Sequence, residues 1–336
     1  MNNKNLKIAV FLGGTSPERE VSKASGKAIF EAIKSLGYNT FLIDPAYGNN
    51  QPEDDELFFT DKDFTQLKNE NYIKAVNSEL MNDVDLVFLA LHGKWGEDGT
   101  IQSLLELKGI KYTGSGILSS AVAMDKALSK TLFKAFDVNT ADWITVSKNF
   151  NPKDTIRRIE KATGFPCVVK PNDQGSTVGL TIAKSPQEIS DAVNLAHRFS
   201  NLALIERYIP GREMTVAILD GEALPVLEII PQGGFYDYKR KYTHGMSEYI
   251  VPAEIKQDIA AEMQNQAIKA FNALQCSGYA RVDFRLTEAN EIYCLEVNTL
   301  PGMTSTSLVP KMAKVVGYSF NDLIDKIISI SLDGKT

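Results

Sequence analysis

The first third of the chain alternates short apolar runs with amphipathic segments. The runs KIAVFLGG, YNTFLIDP and DVDLVFLALHG contain few polar residues, and the pattern predicts helices at about 18–36 and in GTIQSLLELKG. Strands that are apolar throughout are typical of parallel sheets covered by helices on both faces. This part of the chain therefore predicts an α/β lobe with a doubly wound parallel sheet.

The remainder predicts two α+β lobes. A single helix, SAVAMDKALSKTLFKAF, leads to the strands ADWITVS, FPCVVKP, GLTIAK and LALIERYI, with helices between them. The last lobe opens with the hairpin MTVAILDGEALPVLEII, where the pair Asp220-Gly221 favours a tight turn. It continues with a helix at about 253–274, a second hairpin and two closing helices. We predict domains at 1–120, 121–210 and 211–336.

A polar, acidic segment between Pro45 and Asp83 interrupts the first lobe. We interpret it as a surface insertion without chemistry. The alternative is a partner-binding flap, since long loops are frequently functional.

Composition narrows the class of protein. The 336 residues carry a net charge of -6 without a run of basic residues, which argues against nucleic acid or a membrane surface as partner. No stretch is long and apolar enough to span a membrane, and the N-terminus does not have the pattern of a signal peptide. The three cysteines are odd in number and lie in apolar runs, so we expect reduced thiols and a cytosolic protein.

The segment 278–307 contains the clearest chemical pattern. Side chains two apart on a strand share a face, so Arg281 with Asp283, and Glu296 with Asn298, project together from a predicted hairpin. Carboxylate and amide oxygens suit Mg²⁺, and an arginine offers donors to a phosphate or carboxylate. The alternative is a surface hairpin with polar outward positions.

Two segments of the second lobe are compatible with a nucleotide. Lys170 ends a strand and precedes NDQGSTVG, a loop whose backbone N–H groups can cradle phosphate, although a plain β-turn is the simpler interpretation. In LIERYIPGRE, Glu206 can meet the amine edge of a purine and Glu213 can accept from ribose hydroxyls. Solvated edge charges are the alternative.

Two strand ends of the first lobe carry polar groups. In GGTSPEREVS we expect Ser16 to be the N-cap and Pro17 the first helical residue. Glu18 then either compensates the helix dipole or points to a ligand ammonium at the carboxyl end of the strand, where open α/β sheets bind ligands. His92 ends VFLALHG at the equivalent edge; a lone histidine is more often structural.

The order of motifs along the chain resembles that of one family. GGTSPEREVS, ALHGKWGEDGT, YTGSG, AMDK, VVKPNDQGSTVG, LIERYIPGREMTVA, FYDYKRKY, RVDF and LEVNTLPGMTSTSLVP together resemble the D-alanine–D-alanine ligase family of the ATP-grasp superfamily. The resemblance covers nearly the whole chain. It implies an ATP-grasp fold in which the N-terminal lobe precedes two α+β lobes that hold ATP between them.

The resemblance also implies residue roles. For the nucleotide these are Lys126 and Lys170 at the phosphates, Glu206 at the adenine and Glu213 at the ribose. The implied ligands of two Mg²⁺ ions, which Mn²⁺ can replace, are Asp283, Glu296 and Asn298. For the first D-alanine, the implied residue at the ammonium is Glu18, with His92 nearby. For the acyl phosphate and the tetrahedral intermediate, the implied groups are Arg281 and the backbone of Gly302. For the second D-alanine they are Lys241, Ser307 and the adjacent Leu308.

The family further links Glu18, Ser176 and Tyr242 through hydrogen bonds that close the site. The implied reaction joins two D-alanines through an acyl phosphate, with release of ADP and phosphate, for peptidoglycan, and a homodimer is expected. His244 leaves the second substrate open, so D-lactate or D-serine remains an alternative. A ligase for glutathione precursors would not need Glu18 with Tyr242, and a non-catalytic regulator would tolerate loss of Arg281.

Overall fold

The computed structural model describes residues 5–231 and 247–333. The first sheet consists of β1 (Lys7–Phe11), β2 (Asn39–Ile43), β3 (Leu86–Leu89) and β4 (Lys111–Tyr112), all parallel, in the order β2-β1-β3-β4. This confirms the predicted parallel sheet. Its strand order reverses between β1 and β3, where the carboxyl ends of the strands leave a crevice.

Three α-helices connect the strands of this sheet. The α-helices are α1 (Arg19–Ser35), α2 (Asn71–Asn77) and α3 (Thr100–Lys108). Three 3₁₀ turns, Pro45–Tyr47, Asp55–Phe59 and Glu79–Met81, lie within or beside the predicted insertion.

The second sheet is antiparallel. Its strands are β5 (Trp143–Ser147), β6 (Cys167–Pro171), β7 (Thr181–Ala183) and β8 (Leu202–Arg207), in the order β5-β8-β6-β7. The helices α4 (Ile117–Met124) and α5 (Lys126–Ala135) precede it, and α6 (Pro152–Ala162) and α7 (Ile189–Ala196) connect its strands.

The prediction of one helix across α4 and α5 was wrong. Asp125 between them is extended, and its carboxylate accepts a hydrogen bond from the Leu128 N–H at 3.0 Å. An aspartate in this position satisfies an N–H group that a helix start leaves without a partner. A new helix therefore begins at Lys126.

The third sheet is also antiparallel. It is formed by β9 (Arg212–Leu219), β10 (Glu222–Ala223), β11 (Leu227–Pro231), β12 (Ser247–Ile250), β13 (Tyr279–Leu286) and β14 (Ile292–Asn298). The helices α8 (Gln257–Ala273), α9 (Leu308–Val315) and α10 (Phe320–Asp333) complete the lobe. Asp220 and Gly221 both have positive φ, 55° and 82°, which confirms the predicted tight turn.

The last helix of the described chain, α10, packs on the first lobe. Leu323 and Ile327 of α10 belong to the same buried cluster as residues of β1 and β3. The Tyr38 hydroxyl donates to Asp325 at 2.6 Å and the Lys111 ammonium to the Leu332 carbonyl at 2.5 Å. Helix α10 therefore packs on the first sheet.

Membrane and redox features are simple. In the part of the chain that the structure describes, no helix has the length and hydropathy needed to cross a membrane. Cys167, Cys276 and Cys294 are all free thiols, as the sequence predicts.

Helix α1 approaches β1 closely at Gly26. A Cβ added there would lie 2.5 Å from the Leu12 Cβ, an atom that cannot move without the backbone. We expect Gly26→Ala to lower the free energy of unfolding by about 1–3 kcal/mol through overpacking, although alanine is the better helix former by about 1 kcal/mol. Urea unfolding would measure this change.

The exposed Glu31 on the same helix provides the control. Glu31→Ala should change the free energy of unfolding by no more than about 0.5 kcal/mol. A Gly26→Ala protein as stable as the unaltered chain would show that α1 and β1 are less tightly packed.

Candidate active site

The loops after β1 and β3 are joined by Ser16. Its hydroxyl donates to the His92 carbonyl at 2.6 Å and accepts from the Glu18 N–H at 3.2 Å. Helix α1 begins at Arg19 with Glu18 in the N-cap position, so the expectations that Ser16 would be the N-cap and Pro17 the first helical residue were both wrong. Because the hydroxyl of Ser16 bonds within the turn before the helix, it orients Glu18 toward the crevice.

The segment 45–83 supports this turn. The Arg19 guanidinium lies 2.6 Å from the Asp44 carboxylate and 2.8 Å from Asp63, and the Tyr72 hydroxyl accepts from the Thr15 N–H at 3.2 Å. The insertion thus has a supporting role that the polar character of the sequence did not indicate. It holds Thr15 and Arg19, which lie on either side of Glu18 in the sequence.

His92 is buried and tied to the third lobe. Its Nε2 lies 3.1 Å from the Ser25 hydroxyl, which also accepts from the Met303 N–H at 3.2 Å. Burial lowers the pKa of His92, against the opposing effects of Glu18 and of a hydrogen bond with the Leu300 backbone. The imidazole is therefore neutral at physiological pH. Through Ser25 and the Leu300 backbone it holds the loop after β14.

Glu97 is a buried carboxyl group that we did not single out in the sequence. Its Oε2 accepts from the Gly93 N–H at 2.7 Å, and burial followed by the charge of Glu18 raises its pKa to about 8. A side chain at Gly93 would displace Glu18, because an added Cβ would lie 2.6 Å from the Glu18 carboxylate, and the φ of +68° at this position also favours glycine. Glu97 thus holds the loop that lines Glu18.

The loop after β6 reaches the first lobe. The Ser176 hydroxyl donates to the Glu18 carboxylate, which joins the second lobe to the first. Ser176 and Thr177 both adopt left-handed backbone angles, with φ of 53° and 64°. Non-glycine residues in this region cost free energy and concentrate at ligand-binding and active sites.

A buried ion cluster lies under this loop. The Glu206 carboxylate is 2.5 Å from the Lys170 ammonium through Oε1 and 2.9 Å from the Lys130 ammonium through Oε2. Burial would raise the pKa of Glu206, but the two lysines outweigh it and lower the pKa to about 2. Lys130 escaped our sequence analysis, although it lies four residues after Lys126, on the same face of α5.

The predicted hairpin of β13 and β14 is confirmed. Asp283 pairs in register with Glu296, and Arg281 with Asn298. Arg281 donates to both oxygens of Asp283 at 2.8 Å, and Asn298 donates to Asp283 at 3.0 Å. Glu296 lies 3.2 Å from the ammonium of Lys126, which also donates to the Gln174 carbonyl at 2.8 Å.

One small cavity brings the three lobes together. It is lined by Glu97 from the first lobe, Gly175 from the second, Lys126 at the start of α5, and Glu296 and Asn298 from the third. Within residues 5–231 and 247–333, no group of three or more His, Cys, Asp or Glu side chains could hold a metal. The predicted ligand set has two carboxylates and one amide.

The remaining predicted residues that the structure describes are not among those that line this cavity. Glu213 on β9 pairs with Arg285 at 3.3 Å. The Ser307 hydroxyl accepts from the Thr304 N–H at 2.9 Å, and a Cβ on Gly302 would lie 3.5 Å from the same hydroxyl. Leu308 is the first residue of α9. Lys241, Tyr242 and His244 lie outside the described residues.

Comparison with known proteins identifies the class. Residues 7–115 match the family model for the D-ala D-ala ligase N-terminus, and residues 132–329 match that for the C-terminus. The chain is similar to the D-alanine–D-alanine ligase of Geobacter sulfurreducens, with 42% identity over 326 residues, 97% of this chain and 94% of the relative.

Solved structures agree. The D-alanine–D-alanine ligase of Bacillus anthracis complexed with ATP has a TM-score of 0.79 and 32% identity, with 98% of both chains covered. The VanG D-Ala:D-Ser ligase of Enterococcus faecalis has a TM-score of 0.82 and 34% identity, over 97% of this chain and 99% of that one. The fold is thus the ATP-grasp fold. The chain belongs to the D-alanine–D-alanine ligase family.

The buried Glu97 predicts a pH effect on stability. Its folded pKa of about 8 exceeds the ordinary value of 4.5, so its contribution to stability is present below pH 4.5 and is lost as pH rises through 8. Glu97→Gln cannot ionise. We expect the variant to gain stability relative to the unaltered protein between pH 4.5 and 8, by on the order of a few kcal/mol.

Urea unfolding over a pH series in metal-free buffer would measure this gain. The exposed Glu79 gives the control, because Glu79→Gln should follow the unaltered protein at every pH. A stability difference for Glu97→Gln that does not change with pH would mean that Glu97 is ionised in the folded protein.

Proposed function

We propose that this protein joins two D-alanine molecules to D-alanyl-D-alanine through an acyl phosphate, with release of ADP and phosphate from ATP, for peptidoglycan synthesis. The observation that carries the proposal is the convergence of three lobes on one site. Ser176 of the second lobe bonds Glu18 of the first, and Lys126 at the start of α5 joins Gln174 of the second lobe to Glu296 of the third. The family's ligases in Geobacter sulfurreducens and Bacillus anthracis carry the same activity in their names.

ATP is proposed to lie between the second and third lobes. Lys126 and Lys170 supply positive charge for its phosphates, and both are buried, so their attraction is little screened. Glu206 is ionised and accepts from the adenine amino group. Glu213, with Arg285 beside it at 3.3 Å, is proposed to accept from the ribose hydroxyls.

The metal-binding residues are proposed to be Asp283, Glu296 and Asn298. They fit Mg²⁺, since the paired strands place two carboxylates and an amide, all hard oxygen donors, on one face. When bound there, two Mg²⁺ ions, or Mn²⁺ in their place, offset the charge of the transferred phosphoryl group.

The first D-alanine is proposed to present its ammonium to Glu18. Ser176 holds one oxygen of that carboxylate, and Tyr242 is proposed to extend the hydrogen-bonded set. His92 lies behind this contact as a neutral group and shapes the pocket through Ser25. Closure of these segments excludes water, and an acyl phosphate would otherwise hydrolyse.

The acyl phosphate and the tetrahedral intermediate are proposed to face Arg281 and the backbone N–H of Gly302. Fixed donors aimed at developing charge are a large contribution to catalysis. The second D-alanine is proposed to bind through its carboxylate to Ser307, at the start of α9 beside Leu308, and to Lys241. A helix N-terminus favours a carboxylate there.

Three further features are proposals. The lobes are proposed to divide at residues 1–120, 121–210 and 211–336, each with a sheet of its own. A homodimer is proposed from the family likeness. A cytoplasmic location is proposed because all three cysteines are free and because ATP is the phosphoryl donor.

A second candidate product is D-alanyl-D-serine. The specific observation in its favour is that the VanG D-Ala:D-Ser ligase, at 34% identity, is as similar to the chain as the Bacillus anthracis ligase, at 32% identity in its complex with ATP and 34% in a second solved structure. We favour the dipeptide of D-alanine because relatives named for that product match at 42% and 41% identity over 97% and 96% of this chain.

The first test is an ADP-release assay coupled to product analysis. With ATP and Mg²⁺, D-alanine should give one ADP per dipeptide, whereas L-alanine should give none and D-serine and D-lactate much less product. Absence of D-alanine-dependent ADP release from protein that binds ATP and Mg²⁺ would reject the proposal.

The second test removes one charge from the metal site. We expect Glu296→Gln to lower kcat by about 100-fold or more with the fold retained. Loss of even an outer-shell partner of a metal ligand lowers metal affinity or activity by about 10- to 100-fold. Turnover over a Mg²⁺ series would measure the effect. Glu291→Gln, exposed at the turn of the same hairpin, should be near normal. Full turnover of Glu296→Gln at low Mg²⁺ would exclude Glu296 as a ligand.

A further inference from the structure

The buried cluster of Lys130, Glu206 and Lys170 contains two ammonium groups and one carboxylate. The side chains of Lys130 and Glu206 are almost completely buried, with exposed fractions of 0% and 4%, and that of Lys170 is slightly open at 11%. One lysine is enough to neutralise Glu206. The second therefore leaves a net positive charge at the open side of the cluster.

Lys130 is the fixed member. Its ammonium donates to the Thr140 hydroxyl at 2.6 Å, and that hydroxyl donates to the Cys294 carbonyl of β14 at 2.8 Å. It also lies 5.5 Å from the ring centroid of Trp143, which is paired in register with Glu206. Lys130 is thus held from three directions and has no other anionic partner than Glu206 among the described residues.

Lys170 interacts with two carboxylates. Its ammonium is 2.5 Å from Glu206. Burial lowers the pKa of Lys170, but the charges of Glu206 and Glu296 outweigh burial and raise the pKa above its ordinary value. In the nucleotide site proposed above, its ammonium serves the phosphates. When it does so, Glu206 keeps a single cation, and its Oε1 becomes an acceptor without a competing donor.

We propose that Lys130 is the positioning and specificity-determining residue of the nucleotide site, because it fixes the Glu206 carboxylate as a charged acceptor for a base with an exocyclic amino group. This inference rests on the proposed nucleotide site. Lys130 is not among the residues proposed to contact nucleotide or metal. It acts through Glu206: its ammonium lies 2.9 Å from Oε2, whereas Oε1, 2.5 Å from Lys170, is the oxygen proposed to accept from the base once Lys170 serves the phosphates.

The chemistry predicts a definite preference. A carboxylate accepts hydrogen bonds and cannot donate, so it pairs with the 6-amino group of adenine and repels the 6-oxo group of hypoxanthine. Without Lys130 the buried carboxylate has no fixed cation, and burial then favours its protonated form. A protonated carboxyl group can donate to a 6-oxo group, so removal of Lys130 erodes the preference for ATP over ITP.

The test compares ATP with ITP in direct binding, by isothermal titration calorimetry, and in turnover with saturating D-alanine. We expect Lys130→Met to weaken ATP binding at least about 10-fold and to narrow the ATP/ITP affinity ratio at least about 10-fold, because a buried polar group left unpaired is what rejects the wrong ligand. The KM for ATP should rise, whereas kcat should change less than about 3-fold.

Lys134 supplies a matched control. It lies one turn further along α5, 5.0 Å from the centroid of the same Trp143 ring, but its partner is Asp142 at the surface. Lys134→Met should leave both affinities unchanged. If Lys130→Met weakened the binding of ATP and of ITP equally, the ATP/ITP affinity ratio would be preserved. That result would overturn the proposal and make Lys130 a packing residue.

A double variant covers the case in which Lys130→Met does not fold. Glu206→Gln should narrow the ATP/ITP ratio by itself, and Lys130→Met in that background should add no further change, since groups that act as a unit are not additive. A further fall of the ratio in the double variant would also overturn the proposal. Because binding is measured without turnover, loss of ligase activity in the unaltered protein would refute the proposed function and leave this test intact.

Discussion

Two carboxylates face each other across the β13–β14 pair, and much of the site follows from that one constraint. Asp283 and Glu296 are in register, and like charges directly opposite on a sheet repel. The repulsion is offset by Arg281, bound to both oxygens of Asp283, and by Lys126, 3.2 Å from Glu296. Lys126 begins α5, whose Phe133 lies in the buried cluster of the third lobe, and its ammonium also donates to the Gln174 carbonyl, so the cation that offsets the charge of the hairpin also contacts the second lobe.

The remaining contacts between lobes reach this point from other directions. The loop that contains Gln174 receives the Lys126 ammonium and continues to Ser176, which bonds Glu18. The loop after β14 is held by His92 and Ser25 of the first lobe. Each lobe therefore contributes groups that lack a complete set of partners until the other two are present, which makes the site a property of the whole chain.

The features that could be predicted from the sequence are those with a local period or a local motif. Alternating positions in β13 and β14 place Arg281 beside Asp283 without knowledge of any other segment. Glu97, Lys130 and Ser25 could not be predicted, because their roles depend on pairings between distant segments, such as Lys130 with Glu206. The break at Asp125 was missed because both flanking segments have helical periodicity, and one capping side chain decides where the second begins.

Helix α10 has a consequence for how the chain acquires its structure. Its side chains Leu323, Ile324, Ile327 and Ile328 share a core with β1 and β3, which are synthesised before it. The part of this core that α10 covers stays open to water until both following lobes have been synthesised. The N-terminal lobe of the nascent chain therefore exposes apolar surface until α10 has been synthesised. Exposed apolar surface favours aggregation or chaperone binding. Assembly of this enzyme is completed by the segment that is synthesised after its active site.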